Sequence, residues 1–354
     1  MTTRSSFSPV PAHPVVAVAG ATGAVGREML LVLEQLAFPA REVRALSSAR
    51  SVGTSVPYAG PGAPEGRELP VEEMTPESFE GVDIALFSAG GSVSQRFADA
   101  VVRAGAVMID NSSAFRMDEG VPLVVPEVNP ADALTHQGII ANPNCSTIQM
   151  VVALAPLHQL LPLKRVIADT YQAASGAGAK GMEELYEQSK ALLTGQDWPP
   201  QTFAYQIAFN VIPQIDVFLD DGSTKEEWKM VVETQKILHA PEVAVQATCV
   251  RVPVLRSHSE AVHVQFDAAE LPPLADIRAV LEAAPGIVVV DDPQTLSYPM
   301  PIDISGTDAI YVGRLRRDPT VDAGISFWVV ADQLRKGAAL NAVQIAQLLL
   351  PTGQ

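Results

Sequence analysis

The sequence predicts an α/β protein of two domains: a doubly wound, parallel-sheet domain at the N-terminus and an α+β domain after it. Three observations carry this. Short, wholly apolar runs alternate with amphipathic stretches from Val15 to about residue 141. The first of these runs ends in a glycine-rich turn that opens a helix. After NPNCSTIQM the pattern shifts to longer strands in which polar residues alternate with apolar ones. At about 150 residues per domain, a chain of this length holds two. The first is expected to span residues 1–145, completed by a C-terminal helix over 331–354, and the second residues 146–330.

Residues 1–14 read as a Pro-containing leader without the apolar core of a secretion signal. VVAVAG, from Val15 to Gly20, has the uniform apolarity of a strand buried on both faces. ATGAVGREMLLVLEQL follows, with Val25, Met29, Leu33 and Leu36 at helical spacing. EVRALSS is the second strand. The Gly- and Pro-rich stretch 53–70 reads as a long hairpin loop. DIALFSAGG is the next buried strand, a helix is expected through Phe97–Ala104, and AVMIDNSSAFR is a strand entering a polar loop. A helix is predicted from Ser146 to Leu160. KRVIADTYQAASG, EVAVQATCVRVPV and EAVHVQFDA then suggest a mixed or antiparallel sheet. Residues 194–222, with prolines and several aromatics, read as an excursion that forms an interface or a flap. DQLRKGAALNAVQIAQLLL reads as an amphipathic helix returning to the first domain.

Composition narrows the function. Hydrophobic residues are 47% and charged residues 18%, a globular balance that excludes wholesale disorder. Lys plus Arg is 24 against 40 for Asp plus Glu, a net charge of −16 that repels nucleic acid. No apolar run reaches the 18 or so residues of a membrane span, so the expectation is a cytoplasmic protein. Two cysteines, Cys145 and Cys249, make neither a disulfide framework nor a cysteine-based zinc site. No metal is expected.

The motifs carry more. Gly20-Ala21-Thr22-Gly23-Ala24-Val25-Gly26, between a buried strand and a helix, offers backbone N–H groups to a pyrophosphate. The second strand ends in Leu46-Ser47-Ser48-Ala49-Arg50-Ser51, without the carboxylate that binds a ribose 2′-hydroxyl. Arg50 and the hydroxyls suit a 2′-phosphate, hence NADP; the competing reading of Arg50 is a solvated surface residue. Cys145 stands at the mouth of a helix, where the positive end of the dipole favours a thiolate, and a thiolate there can attack an acyl carbon. Cys249, inside an apolar strand, reads as core. His258 is either the acid/base partner of the cysteine or a satisfied polar residue; His263 reads as structural. Glu226 and Lys229 share a helix face and either point at one ligand or form a solvated ion pair. Ser223 and Glu226 suggest a capping box.

Taken together, GATGAVG, SSARS, NSSAFRMD, VPEVN, NPNCST, TYQAASGAG, KEEWKM, RVPVLRSHSE and DQLRKGAALNAVQ occur in an order that resembles the aspartate-β-semialdehyde dehydrogenase family, from about Val15 to Leu350. The resemblance implies a glyceraldehyde-3-phosphate dehydrogenase-like fold, with an NADP-binding Rossmann domain and a catalytic, dimerising α+β domain. It implies reductive dephosphorylation of L-4-aspartyl phosphate by NADPH, giving the semialdehyde and phosphate. This step belongs to lysine (through diaminopimelate), threonine and methionine synthesis. Cys145 matches the nucleophile that forms an acyl-thioester, His258 the general acid/base, and Gln172 the residue that orients substrate. Arg251 and Glu226 match the groups holding the substrate's carboxylate and amine end, and Arg116 and Lys229 the phosphate-binding pair. Gly20, Thr22, Gly23, Ala24, Val25, Arg50, Ser51, Ser175, Gly176 and Gln333 match NADP contacts. The implied partners are the small-molecule substrate and a second copy of the chain. The rival readings are an N-acetyl-γ-glutamyl-phosphate reductase and a non-catalytic paralogue, and a paralogue of that kind is expected to have lost the nucleophile or the phosphate cations.

Overall fold

The computed structural model describes residues 9–63 and 68–351. The chain divides into two compact units, residues 1–144 with 338–354, and residues 145–337.

Among the described residues, the first unit holds seven strands: β1 Val15–Ala19, β2 Glu42–Ser47, β3 Ser55–Pro57, β4 Glu68–Glu73, β5 Ile84–Phe87, β6 Val107–Asp110 and β7 Ile139–Ala141. Their order is β3-β4-β2-β1-β5-β6-β7. All neighbours are parallel except β3, which pairs antiparallel with β4. Without β3 this is the dinucleotide-binding order, whose strand sequence reverses between β1 and β5. The apolarity of β1 has a direct cause. Val16 and Val18 pack on one face with α1 (Ala24–Gln35), while Val15, Ala17 and Ala19 pack on the other with Phe97 and Val101 of α2 (Gly91–Arg103). The second helix starts six residues before the predicted Phe97. Gly91-Ser-Val-Ser carries no side-chain cap, so its start leaves little local signal. Of the long loop, residues 64–67 lie outside the described residues, as do residues 1–8 of the leader.

The second unit opens with α3 (Cys145–Leu160) and continues with β8 Leu163–Gln172, α4 Ala179–Leu193, α5 Lys225–Ile237, β9 Ala244–Arg251 and β10 His258–Phe266. It ends with α6 Leu274–Ala283, β11 Ile287–Val289, α7 Pro301–Ile304, β12 Ile310–Arg317 and β13 Gly324–Ala331. The sheet is mixed, in the order β11-β12-β13-β10-β8-β9. Alternation along β8 explains its sequence. Val166, Ala168, Thr170 and Gln172 are buried toward α3 and its neighbours, while Arg165 and Tyr171 are exposed on the other face.

The C-terminal run departs from the single predicted helix. Arg335–Ala339 is π-helical, and only Leu340–Leu348 is α-helical (α8). Nor is α8 half-exposed: Leu340 to Val343, Ile345 and Ala346 are buried, and it packs on α1 within the first unit. Among the described residues, no helix is long and apolar enough to cross a membrane.

Candidate active site

In the first unit, the turn after β1 is shaped for a phosphate. Gly23 precedes α1 in extended conformation; no side chain caps the helix, and its first turn holds no acidic residue. The positive helix end, with the N–H groups of Ala24 and Val25, is therefore open to an anion. A Cβ on Gly26 would lie 2.2 Å from the Gly20 carbonyl oxygen, so only glycine lets the helix approach the turn this closely. Thr22 Oγ1 and Ser47 Oγ are hydrogen-bonded at 2.9 Å, tying the turn to the end of β2. Just beyond, a single 3-10 turn (Ala49–Ser51) carries Arg50, exposed, and Ser51, half-buried.

Arg116 belongs to the same unit. Its guanidinium donates to the carbonyls of Asn142, at 2.9 Å, and Asn111, at 3.0 Å. Asn142 Nδ2 donates to Asn111 Oδ1 at 2.6 Å, and Asn341 Nδ2 to Asn142 Oδ1 at 2.7 Å. Three separate segments thus hold the loop that presents Arg116.

In the second unit, strand register assembles the functional residues in rows. Gln172 pairs with Arg251 across β8 and β9. Tyr171 pairs with Ser259 across β8 and β10, which sets Gln172 beside His258 one step on. Arg251, Gln172 and His258 so form one row on the buried face. Cys249, Thr170 and Glu260 form the next row, deeper in the fold. Across these strands lies α3, and Cys145 is its first residue.

His258 is fully buried. Its Nδ1 accepts the Ala173 N–H at 3.0 Å, so the neutral ring carries its proton on Nε2. Burial, and then the charge of Arg251, hold its pKa well below the usual histidine range. Protonating Nδ1 would also set N–H against N–H. Gly176 faces both residues: a Cβ there would lie 2.6 Å from Arg251 Nη1 and 3.1 Å from His258 Nε2. Arg251 Nη1 donates to the Ala173 carbonyl at 2.7 Å, and burial lowers its pKa. Cys145 is near enough for a thiolate to act on the guanidinium. Gln333 donates through Nε2 to Ser175 Oγ and accepts the Ser257 N–H at 2.9 Å, bracing the residue before His258.

Glu226 and Lys229 do not form a solvated pair. Lys229 Nζ lies 3.1 Å from Glu226 Oε2 and 2.8 Å from Asp216 Oδ2, with Lys229 and Glu226 nearly buried. Burial alone would depress the lysine, but the two carboxylates outweigh it and hold its pKa above the usual value. Gln172 Nε2 donates to Glu226 Oε1 at 3.2 Å. The capping box lies one residue further on than the sequence suggests. Thr224 Oγ1 accepts the Glu227 N–H at 3.3 Å and Glu227 Oε2 accepts the Thr224 N–H at 2.6 Å, because Ser223 is turned to Asp221. Cys249 is core, with its thiol pKa pushed up by burial. His263 hydrogen-bonds Ser326 at 2.9 Å.

The second unit thus gathers Cys145, Gln172, Ser175, Gly176, Glu226, Lys229, Arg251, His258 and Gln333. The first holds the glycine turn, Arg50, Ser51 and Arg116. Three residues escaped the sequence reading. Asp216 lies in the excursion over 194–222, which the sequence reads only as an interface or a flap. Gly337 sits so close to Cys145 that a Cβ on it would be 2.9 Å from that residue's Cβ. Glu260 is a fully buried carboxyl whose pKa burial raises well above the usual range. Its signal was parity: in HSEAVHVQF it shares the strand face of His258, Val262 and Val264. Among the described residues, no cluster of three or more His, Cys, Asp or Glu side chains could hold a metal ion.

Residues 15–136 match the semialdehyde dehydrogenase NAD-binding domain family, and residues 154–336 the semialdehyde dehydrogenase dimerisation domain family. The aspartate-semialdehyde dehydrogenase of Bacillus subtilis is 53% identical, over 94% of this chain and 96% of its own. That of Aquifex aeolicus is also 53% identical, over 96% and 98%. The structure of aspartate semialdehyde dehydrogenase II from Vibrio cholerae complexed with ASA superposes with a TM-score of 0.91 at 47% identity, covering 96% of this chain and 98% of that one. The Candida albicans enzyme with NADP gives a TM-score of 0.74 at 26% identity, over 95% and 98%.

Proposed function

The chain belongs to the aspartate-semialdehyde dehydrogenase family, and from that premise we propose how its own residues carry out the reductive dephosphorylation of L-4-aspartyl phosphate. The observation that carries the proposal is the row Arg251–Gln172–His258 with Cys145 at the start of the helix above it. Cys145 Sγ attacks the acyl carbon; a C–S bond forms, the C–O bond to phosphate breaks, and phosphate leaves with the electron pair. Backbone N–H groups in the first turn of α3 and the Nε2–H of His258 stabilise the oxyanion. When bound, the cofactor supplies the hydride that reduces the thioester carbon. The C–S bond then breaks, releasing the aldehyde and restoring the thiolate. Since this collapse needs no net proton, His258 lends its Nε2 proton as a hydrogen bond, in keeping with a ring held neutral. Gln172, fixed by Glu226, orients the acyl group. Arg251 takes the α-carboxylate, and Arg116 and Lys229 receive the phosphate.

The cofactor is read as NADP. The glycine turn and the open start of α1 suit the pyrophosphate, and Arg50 with Ser51 suits a 2′-phosphate where no carboxylate stands. Ser175, Gly176 and Gln333 are read as further NADP contacts. The protein is further read as a cytoplasmic homodimer. The face of the second unit's sheet that carries Tyr171 and Trp328, whose rings lie 5.4 Å apart, and beside them Arg165, Asp169, His263 and Gln265, is read as the surface for a second copy.

The test runs the reaction in reverse, from L-aspartate-β-semialdehyde, phosphate and NADP⁺, following NADPH absorbance. Phosphate-dependent NADPH formation in the wild type that is abolished in Cys145→Ser, and is weaker with NAD⁺, is the expected result. Folded, cofactor-binding protein without that activity would refute the proposal.

A further inference from the structure

Cys145 and His258 each stand at the start of an element, α3 and β10, and the two elements pack on each other beneath the site. Cys145 lies by the row Arg251–Gln172–His258, near enough for a thiolate to act on the guanidinium. One turn along α3, on the same face, lies Gln149. One alternation along β10, on the same face, lies Glu260. The two steps have nearly the same length, since four helical residues rise about 6 Å and two strand residues about 6.7 Å. Gln149 and Glu260 thus repeat, one layer deeper, the pairing of Cys145 with His258.

Both side chains of the deeper layer are polar and fully buried. Among the described residues, Glu260 Oε1 and Oε2 and Gln149 Oε1 and Nε2 make no hydrogen bond to any other group. The two side chains face each other, and Gln149 is near enough to act on the Glu260 carboxyl as a hydrogen-bonding group. In the sheet, Glu260 is flanked by Thr170 on β8, with Cys249 beyond it on β9, and by Val329 on β13. None of these is charged, since burial keeps the Cys249 thiol protonated. His258, two residues back, is neutral, and Arg251, one row out, is turned to the Ala173 carbonyl. Burial without a compensating cation holds Glu260 as the neutral acid. A neutral acid offers one O–H donor and one carbonyl acceptor, and a primary amide offers the matching acceptor and donor. Face to face, the two satisfy all four atoms with two reciprocal hydrogen bonds. An ionised carboxyl would leave the amide oxygen without a donor.

We propose that Gln149 and Glu260 are positioning residues for the reaction, an acid–amide pair that locks α3 to β10 and so sets Cys145 Sγ against His258 Nε2. The inference rests on the function proposed above. Neither residue touches the substrate. Each acts through the functional residue one step nearer the start of its own element.

The experiment measures kcat, and KM for L-aspartate-β-semialdehyde, phosphate and NADP⁺, in the wild type and five variants. These are Glu260→Gln, Glu260→Leu, Gln149→Leu, Gln149→Glu and the double variant Gln149→Glu with Glu260→Gln. Glu260→Gln keeps a donor and an acceptor in place, so its kcat should stay within about threefold of wild type. Each leucine variant leaves one polar group buried alone. Its kcat should fall about ten- to a hundredfold, the scale of a misplaced nucleophile, with every KM within about twofold. Gln149→Glu sets two carboxyls face to face and should lower kcat about tenfold. Adding Glu260→Gln restores an acid–amide pair and should bring kcat back to within about threefold of wild type. The Gln and Glu exchanges preserve side-chain shape, so they decide the matter if a leucine variant does not fold. Wild-type kcat in Gln149→Glu or in a folded leucine variant would overturn the proposal. So would a loss in Glu260→Gln as large as in Glu260→Leu, a Gln149→Glu defect that the second substitution leaves in place, or losses confined to KM. A wild type unable to turn over the semialdehyde would refute the underlying functional reading, and this proposal with it.

Discussion

At the residue scale, the site is defined by close approaches as much as by functional groups. Gly176 leaves no room for a methyl between its own backbone, Arg251 and His258. Gly176→Ala must displace the guanidinium, the imidazole or both. Misplacement of a catalytic group by about 1 Å is enough to cost on the order of a hundredfold in rate. Steady-state kinetics of Gly176→Ala should therefore show at least that loss in kcat/KM with a near-native melting temperature. Wild-type kinetics would mean that the gap is filled without moving either residue. Cys145 stood apart from Cys249 because its neighbours are polar or turn-forming, whereas His258 had two readings in the sequence and took a role only from the family resemblance. Asp216 and Gly337 were not, because their roles are set by residues distant in sequence and by no local pattern.

At the scale of elements, what could be read was what periodicity encodes. The buried strands of the first unit stand out because both faces are covered, so every position is apolar. The alternation in β8 and β10 marks a sheet with one covered face, and it places His258 and Glu260 on the same side. The C-terminal run is the instructive failure. Its apolar spacing is continuous, yet the chain turns π-helical over Arg335–Ala339 as Gly337 passes close to Cys145. Helical spacing reports which face is buried, and cannot register an extra residue inserted to fit a tertiary neighbour. The capping box slipped by one for a related reason. Both Ser223 and Thr224 are competent caps, and the choice fell to Asp221, which accepts both the Ser223 N–H and its hydroxyl.

At the scale of the molecule, the buried groups give stability a definite pH dependence. Glu260 has a raised pKa in the folded state, so its contribution is complete below about pH 4.5 and shrinks as pH rises toward the folded value. His258 has a lowered one, so stability is lost as pH falls below about 6.5, where only the unfolded chain takes up the proton. Glu260→Gln keeps the shape of the neutral acid and removes the first effect. Denaturant unfolding of the variant against the wild type from pH 5 to 8 should show the difference moving in the variant's favour. The slope should approach about 1.4 kcal/mol per pH unit while the folded carboxyl stays protonated. A pH-independent difference would mean that Glu260 is ionised in the fold.

In the proposed reaction, acyl transfer passes through a thioester on Cys145. The most direct measurement mixes the protein with L-aspartate-β-semialdehyde and NADP⁺ without phosphate, quenches in acid, and weighs the intact chain and its peptides. An aspartyl adduct is expected on the peptide holding Cys145, one equivalent per chain, formed together with NADPH and discharged when phosphate is added. NADPH formed with no adduct, or an adduct on Cys249, would contradict it.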